Sequence, residues 1–339
     1  MVLTVNKNLI GVNVLRREER RPTDALGIYA NALEQLGRES VFILESLSGP
    51  SRDRRATIIG LEPLFEVCIN EGQAQLRGCA ALCEHLSASL RQAGMQVDQE
   101  HKIHLPDSEA AWNLLRAIQA TFQPASNAPS SLAFFGYFAY DCVRLIERLP
   151  DLAKQTYDYP LIALSVYQTL VYFHSNGIVE TLITNHDLWS PRTLEDYPFL
   201  STTPAAEALA PLPYPEGFEE ERTVTPEQFV ERVEVAMEHI RAGDVYQIQL
   251  GHEIRIRSQV SPFDVYQNLR LRNPSPYMYL AHVGGIDLIG ASPELFVRIK
   301  DDLIEMRPIA GTVGKKPGVD PTQLVLELTR SGAVVLVDE

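Results

Sequence analysis

The chain has 339 residues, of which 45% are apolar and 22% charged, and carries a formal net charge of −14. That length allows one large domain or two smaller ones, and the negative balance argues against nucleic acid or an anionic membrane as partner while permitting a small anionic substrate in a locally positive pocket. No apolar run reaches the roughly 20 residues that a bilayer span needs, the start Met1-Val2-Leu3-Thr4 does not lead from basic residues into a long apolar core, and the four cysteines Cys68, Cys79, Cys83 and Cys142 are too few for a disulfide scaffold, so a cytoplasmic protein with no membrane partner is expected.

In chain order, residues 1 to 22 read as a strand and a solvated basic loop. From Asp24 to Leu36, apolar residues at Leu26, Tyr29, Leu33 and Leu36 have helical spacing. Val41 to Ser46 reads as a buried strand ending in Leu44-Glu45-Ser46. A carboxylate and a hydroxyl at a strand end suit the ammonium and carboxylate of an amino-acid ligand, and equally suit the start of a surface loop. Arg52 to Arg55 lead into Ala56-Thr57-Ile58-Ile59-Gly60. Strands are predicted at Leu64 to Asn70 and Gln73 to Arg77, with helices near 79 to 93 and 108 to 121. Cys79, Cys83 and His85 fall in an apolar helical pattern, which favours buried small side chains over a metal site.

After the Pro- and Ser-rich loop 124 to 131, Leu132 to Asp141 is an aromatic strand containing Gly136-Tyr137 and Tyr140-Asp141, read as core packing. Two strands, Tyr159 to His174 and Ile178 to Thr184, join at Asn176-Gly177, a hairpin turn. Residues 186 to 224 are rich in proline and acids, with little periodicity, and are expected to be a connector outside the core. The chain thus divides into an N-terminal region over 1–185, this connector over 186–224, and a further domain beginning at 225 and running to 339. Thr225, Pro226 and Gln228 form a helix start with a reciprocal cap, and Gly243 forms its end. A strand is predicted over 244 to 256, with Tyr246, Ile248, Leu250, Ile254 and Ile256 on one face and Gln247 and Gln249 on the other. Four motifs crowd into the segment that follows Gly243: Gly243 to Leu250, Asn273 to Leu280, Gly290 to Phe296 and Arg307 to Thr312. The fold class expected is α+β, antiparallel sheets with outer helices, because hairpin-spaced strands dominate and strand-helix-strand alternation is absent.

These words together resemble the large subunits of anthranilate synthases, a branch of the chorismate-utilising enzymes. The resemblance covers roughly 25 to 312, is dense from 217 to 312, and is most specific at Pro308-Ile309-Ala310-Gly311-Thr312; Ala56 departs from it, standing where the family has an aromatic residue. It implies the family's two-layer sandwich, chorismate as substrate, tryptophan as feedback inhibitor, Mg2+ as cofactor and a separate glutamine amidotransferase subunit as ammonia source. It places Leu44, Glu45 and Ser46 with Asn273, Pro274, Ser275, Pro276, Tyr277 and Met278 in a tryptophan pocket, Gly311 and Thr312 at the substrate, and Glu294 at the edge of the active site. Gln247 and Ala310 stand where relatives that add water, or that attack the ring themselves, carry a lysine. Lacking both amines, the site is suited to external ammonia and to anthranilate.

The resembled family continues well beyond Thr312, with acids for magnesium and a histidine and an arginine for substrate, whereas 27 residues follow here. Aligning Val335-Leu336-Val337-Asp338 with a family word puts Thr329 and Gly332 where metal-binding acids are expected, so no metal ligand is assigned in this chain. On this reading the C-terminal catalytic part is missing, and the chain alone is expected to be poorly stable and unable to complete the reaction. The alternatives are a catalytically dead homologue that binds tryptophan or a partner subunit, and a component of an aminodeoxychorismate synthase.

Overall fold

The computed structural model describes residues 9–20, 24–48, 56–150, 158–201, 217–300 and 302–307, with Asp320 and Leu326. Its centre is a ten-stranded sheet. In chain order the strands are β1 (Asn13–Arg20), β2 (Val41–Glu45), β3 (Thr57–Asn70), β4 (Gln73–Gly78), β5 (Lys102–His104), β6 (Phe134–Phe138), β7 (Ile162–Phe173), β8 (Ile178–Asn185), β9 (Tyr277–Val283) and β10 (Ile286–Ser292). They pair in the order β10-β9-β2-β3-β7-β8-β1, with β4 continuing from β3 to β5 and β6 lying against β7. All these pairings are antiparallel. The α+β class with antiparallel strands and outer helices is therefore the one observed.

Local chemistry accounts for the elements. Helix α1 (Ala25–Leu36) starts where the Asp24 carboxylate accepts from the Leu26 amide at 3.1 Å, which satisfies one of the orphan donors of the first turn. It buries Leu26, Ile28, Tyr29 and Ala32. Helices α2 (Ala80–Gln92) and α3 (Ser108–Thr121) put Leu82, Leu86, Leu114 and Ile118 into one cluster with Phe65, Val67, Ile69, Ile162 and Val166 of the sheet. Each of these fully buried side chains contributes about 1.5–3 kcal/mol relative to exposure. Other buried side chains of the sheet form separate clusters, one of Phe42, Tyr167, Leu170 and Ala281, another of Cys68, Ala163 and Val283.

The register of β3 against β7 shifts between Pro63 and Phe65, a bulge that redirects the strand. There Glu62 adopts a left-handed φ of 56° and holds Arg192, accepting from its Nε at 3.0 Å, and accepts from the Tyr197 hydroxyl at 2.5 Å. This corrects the expectation for the first part of 186–224. Trp189, Tyr197, Phe199 and Leu200 are buried, because proline punctuation hid an aromatic segment that packs without forming long helices or strands.

The described chain separates into two compact units, residues 1–208 with 272–339, and residues 209–271. In the second unit α4 (Pro226–Ala242) has the predicted reciprocal cap between Thr225 and Gln228, and Gly243 closes it in the left-handed conformation at φ 82°. Helix α5 (Pro262–Arg272) follows. The strand expected over 244–256 is a second difference, since only Ile254–Arg257 pairs, with Glu219–Arg222. Tyr246 and Ile256, on the face expected to be buried, are 96% and 61% exposed. Alternation says which face a strand would bury, but residues 244–253 have no partner strand among the described residues.

Candidate functional site

The amino-acid pocket expected from two distant segments depends on the pairing of β2 with β9. That pairing is present: Met278 lies across from Glu45, and Tyr279 across from Leu44. Beyond the strand ends the Leu47 amide donates to the Ser275 carbonyl at 3.2 Å, and the Ser48 hydroxyl to the Pro274 carbonyl at 2.6 Å. The two segments are therefore adjacent along their whole length. Their side chains, however, do not all meet. Glu45 and Met278 share one face of the sheet and are buried, whereas Leu44 and Tyr279 point to the other, as does Tyr277, two residues along from Tyr279. Ser275 is buried, Leu44, Ser46, Pro276 and Tyr277 are half-buried, and Asn273 and Pro274 are exposed.

Two glycines shape the Leu44 face. A Cβ on Gly60 would come within 2.0 Å of the Phe42 ring, and one on Gly290 within 2.1 Å of the Tyr279 ring. Each aromatic ring therefore occupies the space where a side chain on the next strand would begin, a packing that only glycine opposite it permits.

Sequence reasoning missed a second polar group on this sheet. Glu66 accepts from the Cys68 thiol at 3.2 Å, the Ser165 hydroxyl at 3.3 Å and the Gly284 amide at 2.8 Å. Burial, with the Glu66 carboxylate beside it, pushes the Cys68 thiol up to about 12. The hydroxyl oxygen of Tyr137 is buried with no hydrogen-bond partner, and burial raises its pKa. Beside Glu66 a cavity of about 330 Å3 is lined by Arg77, Ser165, Tyr167 and His282 among others. His282 is oriented by Asp287, Nδ1 to Oδ1 at 2.9 Å, and Asp287 in turn accepts from Arg38 at 3.0 Å. The available signal was a carboxylate interrupting the apolar run Leu64-Phe65-Glu66-Val67-Cys68.

Of the residues expected at the substrate, Gln247 is exposed in the second unit, outside any strand. Glu294 is exposed just after β10, its amide donating to the Ser292 hydroxyl at 3.3 Å. Ala310, Gly311 and Thr312 lie outside the described residues, as do Arg52 to Arg55 and Val335 to Asp338. Among the described residues no group of three or more His, Cys, Asp or Glu side chains could hold a metal ion, so the magnesium implied by the resemblance has no donor set there. No helix among them is long and apolar enough to cross a membrane.

A family model described as chorismate binding enzyme matches residues 71–330. The chain is 38% identical over 304 residues to the 2-amino-4-deoxychorismate synthase of Streptomyces globisporus, an alignment covering 88% of this chain and 61% of that protein. It is 28% identical over 307 residues to anthranilate synthase component 1 of Cereibacter sphaeroides, covering 84% of this chain and 56% of that protein. The chain thus spans only 61% and 56% of the length of these two curated relatives. The crystal structure of anthranilate synthase component I from Streptococcus pneumoniae aligns with 76% of this chain and 54% of that one, at 23% identity and a TM-score of 0.49.

Proposed function

The chain belongs to the chorismate binding enzymes, and from that membership we propose that it serves the amination of chorismate to 2-amino-4-deoxychorismate. The observation that carries this reading is the 38% identity to a 2-amino-4-deoxychorismate synthase across 88% of the chain. In the reaction proposed, the nitrogen of ammonia bonds to ring C2, the double bonds shift, and the C4 hydroxyl leaves with a proton as water. Gln247 and Ala310 support the choice of nucleophile. Neither side chain is an amine that could activate water or attack the ring, which leaves ammonia as the proposed nucleophile, with a glutamine amidotransferase as its proposed source. Gly311 would admit close backbone approach to the substrate and Thr312 would offer a hydroxyl.

A second reading shares this first step and adds one more: elimination of pyruvate from the aminated ring to give anthranilate. It is supported by the 28% identical anthranilate synthase components and by the adjacency of Leu44-Glu45-Ser46 with the Asn273 to Met278 segment, the proposed tryptophan site. The two readings differ only in whether the enolpyruvyl ether survives. Mass spectrometry of chorismate incubated with the protein, ammonium and magnesium separates them. Against the expectation of no turnover drawn from the C-terminal part, this proposal expects a product that has gained the amine and kept the ether. Anthranilate selects the second reading, and chorismate recovered unchanged overturns both.

A further inference from the structure

Ser165, Glu66 and Arg77 stand directly across from one another on the adjacent strands β7, β3 and β4, so their side chains form a polar row on one face of the sheet. Glu66 and Arg77 are cross-strand neighbours of opposite charge, yet they form no ion pair. The carboxylate turns instead to neutral donors, accepting from the Ser165 hydroxyl at 3.3 Å, the Gly284 amide at 2.8 Å and the Cys68 thiol at 3.2 Å. The guanidinium turns to a neutral acceptor, donating from Nε at 3.1 Å and from Nη2 at 2.8 Å to Gln75 Oε1. Among the described residues no carboxylate pairs with Arg77, and its Nη1 bonds nothing. Both signs of charge are thus kept side by side without neutralising each other.

The cavity of about 330 Å3 beside this row is also lined by Glu39, Pro63, Phe65 and Tyr167. Tyr167 is 1% exposed, but among the described residues nothing bonds its hydroxyl, a group that ordinarily finds a partner when buried. Arg77 and Tyr167 can donate to a carboxylate, and Glu66 and the exposed, unpaired Glu39 can accept from an ammonium. A ligand carrying only one of these charges would leave the opposite sign unmatched in the same cavity. Pro63 and Phe65 supply an apolar wall, and the volume lies at the low end of that of small-molecule sites. We propose that this cavity binds a small α-amino acid with an apolar side chain, its carboxylate on Arg77 and Tyr167 and its ammonium facing Glu39 and Glu66. None of these residues belongs to the chorismate or tryptophan sites of the two functional readings.

Calorimetric titration of the full chain with L-leucine tests this site, with circular dichroism confirming the folded state. Saturable binding with a dissociation constant of about 1 mM is expected. Isocaproate, which is leucine without its amine, and isopentylamine, which is leucine without its carboxylate, should each bind about tenfold more weakly. Arg77→Met, at an exposed position, should weaken leucine binding about tenfold. Tyr167→Phe should weaken it about threefold with an unchanged denaturation midpoint, since the hydroxyl removed has no partner among the described residues. No binding heat from folded protein well above that concentration overturns the proposal. Leucine binding that neither variant weakens, or that either one-charge analogue matches, overturns it as well. The chorismate readings stand or fall separately, because their tests use a different ligand and different residues.

Discussion

Met278 lies directly across from Glu45 in the antiparallel pair of β2 and β9, and the two are 1% and 4% exposed. One is a flexible apolar filler and the other a carboxylate, and burying them side by side commits the strand pair to a single register, since a slip of either strand by one residue would turn its member of the pair to the opposite face. Met278→Ala should destabilise the protein by about 2–5 kcal/mol and Met278→Leu by less than about 1.5 kcal/mol, read from denaturant midpoints. Equal midpoints for Met278→Ala and wild type would show that this seam contributes nothing.

Glu62 ties the bulge of β3 to Arg192 and Tyr197, bonding both. Removing it leaves a half-buried guanidinium and a buried phenol short of an acceptor, since at Tyr197 the remaining side-chain bond is one that its oxygen accepts, from the Thr169 hydroxyl at 3.0 Å. Glu62→Ala is expected to cost about 1–3 kcal/mol and to expose the 186–201 segment to limited proteolysis before the rest of the sheet. Uniform cleavage across the chain would contradict this.

The turn between β9 and β10 offers an internally controlled pair. Gly284 has φ 65° and a Cβ there would meet the Tyr137 hydroxyl oxygen and the Ala163 methyl at 2.8 Å, whereas Gly285, at φ 79°, has open space around it. Both substitutions by alanine carry the strain of a left-handed residue, and only the first adds a clash. Gly284→Ala should therefore lower the thermal midpoint more than Gly285→Ala, and the reverse order would refute the packing described at this turn.

The Cys68 thiol, raised from 9.0 to about 12 chiefly by burial, stays protonated in the fold at pH values where the unfolded chain ionises. Its contribution to stability is thus fully present below pH 9 and is lost as pH rises from 9 towards 12. Cys68→Ala should flatten that alkaline decline. Iodoacetamide at pH 8 should label Cys68 far more slowly in native than in urea-unfolded protein, as mapped by peptide mass spectrometry; equal labelling would mean that the thiol is accessible.

Much of the sheet was legible because its signals are local. Asn176-Gly177 makes its hairpin between β7 and β8, Thr225 and Gln228 cap α4, and runs of apolar and β-branched residues mark much of β3 and β7. The adjacency of Leu44-Glu45-Ser46 with Asn273 to Met278 was expected from resemblance alone, since no local pattern reports a pairing between distant segments. The division of their side chains between two faces follows from strand alternation but becomes visible only when the register is known. Residues 244–253 failed in the opposite way, for their alternation is clear and the missing ingredient is a neighbour. Glu66 and Arg192 went unnoticed because each is an ordinary charged residue in sequence, given meaning only by acceptors or donors brought from elsewhere in the chain.

The central claim, that this chain recognises chorismate, is tested most directly by calorimetric titration of the protein with chorismate in the presence of magnesium, with circular dichroism confirming the folded state. Saturable binding at one site per chain is predicted, with a dissociation constant at or below about 1 mM, equivalent to about −4.1 kcal/mol. The absence of any binding heat from folded protein at several millimolar chorismate, supported by equilibrium dialysis showing no retention of the ligand, would contradict it.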